Sequence, residues 1–338
     1  MRCLIIVLMS LALACSTKET PAATEATPAE VTQTEAAEAD SPFDQAKLPM
    51  ELRGPAPPLG EPPSVKVFEP GGNPSHRLRW DVKPGFEQTL ELKVRFRIEA
   101  ISSGGVVVSF AAPWRSTAYK IKLKAEAVEP SGALRVALAI DELSSEYGEG
   151  TNATQDERLQ KAATDLRGLR GSYTIDAQGW IENVELDVPA DAIREAHDMV
   201  DNVKWALYQM TPSFPAERVD EGARWTAQRG VMQRGVTVNQ LSTIEIIQLQ
   251  GAEVNVKTDL RQAAHAQTFE MPGHPVPIEL GELVAEGTSD AWWDLMRLAP
   301  RTASMSSTVH QHYRVPQGPD EKVSMIETTM RTATIRAK

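Results

Sequence analysis

The chain has 338 residues, 35 basic and 46 acidic side chains, a net charge of −11 and two cysteines. That length suits one large domain or two ordinary ones. The acidic balance argues against a phosphate-backbone partner, which needs clustered Lys and Arg, so no nucleic acid is expected. Two cysteines can build neither a disulfide framework nor a four-thiolate zinc site.

Met1-Arg2 is followed by an apolar run over 3–14 interrupted only by Ser10. The run is too short to span a hydrocarbon core that needs roughly 20 residues, and its layout is that of a signal peptide. It ends Leu11-Ala12-Leu13-Ala14-Cys15, which resembles the lipobox of bacterial lipoproteins. The resemblance implies cleavage before Cys15 and attachment of a diacylglyceryl group to its thiol. An ordinary secretory signal with a chance cysteine is the alternative. Cys3 falls in the discarded segment, so no free thiol is expected in the mature chain. Ser16, rather than aspartate, follows the cysteine. By the enterobacterial sorting pattern this implies the outer rather than the inner membrane of the envelope.

Residues 16–60 are rich in Thr, Ala, Glu and Pro and poor in large apolar side chains. Such a segment cannot bury enough surface to offset its ordering entropy. It reads as a disordered tether. Phe43, Leu48 and Met50 could form a docking motif inside it; scattered apolar residues in a linker are the plainer reading. The expected organisation is therefore a signal peptide over 1–14, an anchor and tether over 15–60 and one β-rich domain over 61–338.

In that domain, 86–100 alternates almost without error. Leu90, Leu92, Val94, Phe96 and Ile98 oppose Glu91, Lys93, Arg95, Arg97 and Glu99. Period two over this length is a long, half-buried antiparallel strand. A short apolar strand follows at 106–110, then alternating strands at 119–127 and 134–140 around the Glu129-Pro130-Ser131-Gly132 turn. Between 151 and 213 the period changes. A helix with Leu159, Ala162, Ala163 and Leu166 on one face is expected after a capping box at 154–157. A hairpin at 173–188 precedes a second helix, expected from Pro189 to about Met210. Trp205 lies off its apolar stripe, among Arg194, Asp198, Asp201 and Tyr208. Packing under another element is the plainer role for Trp205; contact with a ligand or partner is the alternative. Six further strands are expected at 224–232, 236–249, 253–267, 280–295, 302–315 and 323–336. The fold class is mainly β: a long antiparallel up-and-down meander, forming a curved sheet or open half-barrel, with a two-helix insert over about 151–213.

Segments such as Arg218-Val219-Asp220-Glu221-Gly222-Ala223-Arg224-Trp225 and Asp294-Leu295-Met296-Arg297-Leu298-Ala299-Pro300 resemble those of uncharacterised β-meander lipoproteins of bacteria. No activity comes with that resemblance. The order of strands, helical insert and strands is similar to periplasmic lipoprotein carriers, whose half-barrel sheets hold an apolar cavity plugged by helices. The comparison concerns fold, which does not fix function.

Catalytic motifs are missing: no nucleophile elbow, zinc-protease helix or phosphate-binding glycine loop occurs. His310 and His312 project to one face of a strand, but with Ser306, Thr308 and Arg314 beside them they read as solvent-facing rather than metal-ligating. His265 reads the same way. Asp141, Glu142, Glu146 and Glu149 read as an acidic surface loop. Trp292-Trp293 must point to opposite faces, so at least one is buried and the other is free to line a groove. Trp205, Trp292 and Trp293 are thus the candidate ligand-binding residues. The expected function is a non-catalytic, membrane-anchored module for an apolar ligand or lipid, with no cofactor and no metal. The alternative is a structural or protein-interaction lipoprotein with an envelope protein as partner.

Overall fold

The structure, a computed structural model of the chain, describes residues 48–103, 107–148, 153–270, 276–316 and 322–338. Cys15 and the segment 1–47 lie outside the described residues. A short strand that the sequence did not lead one to expect, β1 (Ser64–Glu69), precedes the expected β2 (Glu87–Ser103), β3 (Val107–Ala111), β4 (Arg115–Val128) and β5 (Leu134–Tyr147). The insert supplies α1 (Ala153–Asp165), β6 (Arg170–Ile175), β7 (Ile181–Leu186) and α2 (Arg194–Met210). Then come β8 (Arg224–Gln233), β9 (Val236–Gln250), β10 (Glu253–Ala264), β11 (Gln267–Phe269), β12 (Ile278–Asp294), β13 (Thr302–Pro316) and β14 (Lys322–Ala337).

Among the described residues fourteen strands join one open antiparallel sheet in the order β1-β8-β9-β10-β12-β13-β14-β2-β4-β5-β6-β7, with β3 beside β2 and β11 beside β12. Two meanders are therefore fused along β14 and β2. Their register places Ile335 opposite Leu92 and Arg331 opposite Phe96. The sheet is curved as expected, and the reason is visible in one contact. Arg234, in the β8–β9 turn, lies 3.9 Å from Glu327 of β14. Along a flat sheet β9 and β14 would be about 19 Å apart, at ~4.8 Å per strand. Only a curled sheet brings them together.

One face carries the core. Leu90, Leu92 and Val94 of β2, Tyr119, Ile121 and Leu123 of β4, and Val136, Leu138 and Ile140 of β5 are buried there. Both helices lie on this inner face; α1 packs on β5, and α2 packs on α1, β7, β12 and β13. The opposite face bears Lys120–Glu142, Lys122–Asp141 and Lys124–Glu87 pairs at 2.6–2.7 Å. Exposed pairs of this kind are screened by water and contribute little to stability. No helix among the described residues is long and apolar enough to cross a membrane.

Three expectations need correction. Asp141, Glu142 and Glu146 belong to β5, which runs to Tyr147, because the alternating Leu143 and Ser145 keep its inner face buried. Glu149 lies outside the described residues. The second helix starts at Arg194, not at Pro189; Ala192 donates to the Pro189 carbonyl at 3.0 Å and closes a turn first. The third correction concerns the tether, whose end at 48–60 is ordered.

That end forms a strap across the outer face. Met50–Leu52 is a 3₁₀ turn, and Leu52 is fully buried against Leu241 and Ala263. The Glu51 carbonyl accepts from Gln228 and Asn239, each at 2.9 Å. The Gly54 carbonyl lies 2.9 Å from Nε2 of His265, which faces solvent as expected and also touches the strap. Pro57 crosses so close over β8 that a Cβ on Gly230 would meet its carbonyl oxygen at 2.0 Å. Composition hid the strap because one buried leucine and three side-chain contacts to its carbonyls suffice to hold it. Leu52→Ala should cost about 2 kcal/mol, at the low end for a buried leucine since its cluster is small. Limited trypsinolysis of the full chain checks this: cleavage at Arg53 should accelerate severalfold while the rest of the domain stays resistant.

Candidate functional site

The inner face is not uniformly apolar. Its larger cluster fills the end near Leu92, Ile121 and Trp293 and includes the buried sides of both helices. A second cluster at the other end contains Val238, Leu283, Val309, Tyr313, Val315 and Met325 among others. Every member of this second cluster comes from a strand. Between the two runs a belt of buried charge.

Strand register builds the belt. Arg115 of β4 faces Phe96 of β2, and Phe96 faces Arg331 of β14. Arg331 in turn faces Ser307 of β13. Arg115, Arg331, Glu327 and Arg229 are only 2%, 3%, 6% and 7% exposed. Helix α2 lies over them, and the face carrying Asp198, Asn202, Trp205 and Tyr208 meets the belt. Asp198 accepts from Arg234 at 3.0 Å and lies 3.7 Å from Arg115. Glu327 accepts from Gln311 (2.8 Å), Tyr313 (2.9 Å) and Thr329 (3.0 Å). Arg229 donates to the Tyr208 carbonyl at 3.0 Å. Beside it Gln240 accepts from Gln262 at 2.8 Å, and reversing its amide would turn the oxygen toward Arg229 at 3.0 Å. The Tyr119 hydroxyl donates to the Met199 carbonyl at 2.9 Å.

Electrostatics separate two aspartates one turn apart. Burial opposes ionisation of Asp198, but Arg234, Arg115, Arg194 and Arg331 outweigh it and hold its carboxyl below the usual value. Burial wins at Asp201, whose carboxyl is raised despite Arg234. Arg229 and Arg331 are both pushed down to about 10, each by burial first. They remain charged at neutral pH. Tyr313 is pushed well up by burial and by the Glu327 charge.

The three candidate tryptophans are not brought together. Trp205 sits on the belt, with the Arg331 guanidinium 5.8 Å from its ring centroid. Trp293 is fully buried in the larger cluster, edge-on to Trp80 at 4.4 Å. Trp292 is on the outer face, half-buried, its indole nitrogen 3.4 Å from Glu253. His310 and His312 hydrogen-bond to Thr328 and Ser324 of β14 at 2.9 and 2.7 Å. Among the described residues no group of three or more His, Cys, Asp or Glu side chains is placed to hold a metal.

Sequence reasoning missed Arg115, Arg229, Arg234, Glu327 and Arg331. A signal existed: the inward row of β14 reads Val323, Met325, Glu327, Thr329, Arg331, Ala333, Ile335, polar only in its middle.

The outer face carries grooves of its own, two of them of about 910 and 960 Å³. Paired charges such as Lys122–Asp141 and Lys120–Glu142 line them.

The sequence matches no family model and no curated protein. Among solved structures the chain is similar to one titled "Lipid-protein interactions in lipovitellin". The TM-score is 0.35 at 8% identity, over 74% of this chain and 25% of that one. The chain thus spans about a quarter of that protein, and a likeness at this level says nothing of what this chain binds.

Proposed function

We propose that the protein is a non-catalytic envelope lipoprotein, anchored through Cys15 and placed in the outer membrane, that binds an apolar ligand or lipid inside its curled sheet. One observation carries the reading. The second apolar cluster, from Val238 and Leu283 to Met325, is drawn from strands alone, so at that end the curled sheet presents an apolar inner lining of its own. Amphipathic strands with such a lining suit a ligand defined by shape and apolar area. The strap fits the anchoring. It fixes the chain to the outer face from residue 48 onward. An anchor of two or more acyl chains is effectively permanent.

Native mass spectrometry of the full chain, purified from membranes in detergent, tests both parts. The expected spectrum shows a mass increment on Cys15 and a second, non-covalent adduct removed by organic solvent. A chain without the covalent increment overturns the anchor. Absence of an adduct, together with no saturable binding of a fluorescent apolar probe, overturns the binding module.

A further inference from the structure

Most of the buried side-chain atoms in the belt that make no hydrogen bond among the described residues are donors: Nε and Nη2 of Arg115, Nε of Arg331 and Nδ2 of Asn202, with the Ser307 hydroxyl able to donate or accept. They sit close together. Arg115 and Asn202 both act on Tyr119, and Arg331 acts on the Asp198 that Arg115 faces. The charges are also unequal. Arg115, Arg194, Arg229, Arg234 and Arg331 oppose Asp198, Asp201 and Glu327, five cations to three carboxyl groups. Arg229 has Tyr208 but no carboxylate acting on it. Buried cations without counter-charge are costly, and unpaired guanidinium nitrogens are the usual partners of carboxylate and phosphate oxygens. Asp198 and Arg234 are 18% and 17% exposed, so the belt reaches solvent on that side, while Arg115 and Arg331 lie deep.

From this we infer that the belt is an oxyanion site, with Arg115, Arg331 and Asn202 as donors, and that it receives the acidic head of an amphiphile whose chain enters the all-strand cluster. The inference rests on the apolar-ligand reading, which supplies the chain; the donors supply the head. Trp205, stacked near Arg331, then borders the head group rather than the chain.

Equilibrium dialysis of the full chain with four probes tests it: palmitate, hexadecyl phosphate, hexadecanol and inorganic phosphate. Charged hydrogen bonds favour an acidic head over the alcohol by about tenfold or more in dissociation constant. The better of palmitate and hexadecyl phosphate identifies the head as carboxylate or phosphate. Arg331→Met should reduce the preference to about twofold or less. Without ligand the variant should melt at or above the wild-type temperature, because a cation lacking full compensation has been removed. Arg115→Met serves as the second variant, with the same expected loss of preference. Equal binding of hexadecanol and the acidic probes overturns the oxyanion site and leaves the apolar-ligand reading standing. Binding of inorganic phosphate alone, with no chain-bearing probe, overturns the amphiphile and keeps a free oxyanion as occupant. An unchanged preference in both variants, or no binding by any probe, overturns the inference.

Discussion

Asp198→Asn should destabilise the protein by about 3 kcal/mol at neutral pH, within the range for removing one partner of a buried ion pair. The mutation leaves Arg115 and Arg234 without their shared carboxylate; Asp198 lies 3.0 Å from one and 3.7 Å from the other. Arg234 keeps Glu327 at 3.9 Å, whereas Arg115, 2% exposed, keeps only uncharged neighbours, the Phe96 ring at 4.0 Å and the Tyr147 hydroxyl. The pH dependence gives a second readout. The folded-state carboxyl of Asp198 is depressed, so its stabilisation is present above the unfolded value and is lost as pH falls through the folded one. The wild-type advantage over Asp198→Asn should therefore be largest at pH 6–8 and vanish in acid, below an ordinary aspartate pKa of about 3.9. Asp201 has the opposite sign. Its raised carboxyl penalises folding above the unfolded value and ceases to do so in acid. Asp201→Asn should thus be neutral or stabilising at pH 7. Urea unfolding of both variants at pH 7 and pH 3.5 checks the pair, and equal losses for the two aspartates at pH 7 would contradict it.

The belt also explains where the sequence was legible and where it was not. Alternation is a local property, so β2, β4, β9, β13 and β14 could be read from their own residues within a few positions. The two helices declared themselves by the change of period between 151 and 213. Partner choice is not local. Nothing within 86–100 or 323–336 says that β14 pairs with β2, yet that pairing fuses the two meanders and puts Arg331 beside Phe96. Arg115 was missed for a related reason. A charged residue ahead of Tyr119, Ile121 and Leu123 looks like a strand end reaching solvent, and only the helix above turns it into a buried group. Trp205 is the instructive intermediate. Its position off the apolar stripe, among Asp198, Asp201 and Tyr208, marked the correct helix face, but the cations opposite lie on distant strands. The strap at 48–60 escaped because Pro and Glu dominate its composition while its attachment depends on Leu52 and backbone carbonyls.

Trp293→Ala should cost about 3–4 kcal/mol, lowering the thermal midpoint by roughly 7 °C. Its indole is fully buried where the sheet meets the segment carrying Leu78 and Trp80. Trp80 meets it edge-on, with ring planes at 81°, and lies 5.8 Å from Phe214, which is 6.4 Å from Trp225. Trp80 packs close against Gly179: its indole nitrogen sits 2.3 Å from where a Cβ there would be, and Gly179 adopts φ +86°, which glycine tolerates. Truncating Trp293 removes the ring that Trp80 meets and leaves a cavity beside it, and large-to-small changes of a buried tryptophan carry penalties of this size. One effect works the other way. Trp293 Nε1 is buried without a hydrogen bond, so truncation also removes an unsatisfied donor. Trp293→Phe separates the two contributions: it keeps an aromatic partner for Trp80, deletes the N–H and should cost under about 1.5 kcal/mol. Trp292→Ala, one residue away on the outer face, loses a half-buried ring and a 3.4 Å contact to Glu253, and should cost about 1 kcal/mol or less. Urea midpoints ordering the three variants as Trp293→Ala, then Trp293→Phe, then Trp292→Ala would place Trp293 in the structural core. That would leave Trp205, alone of the three, at a position to report on a bound ligand.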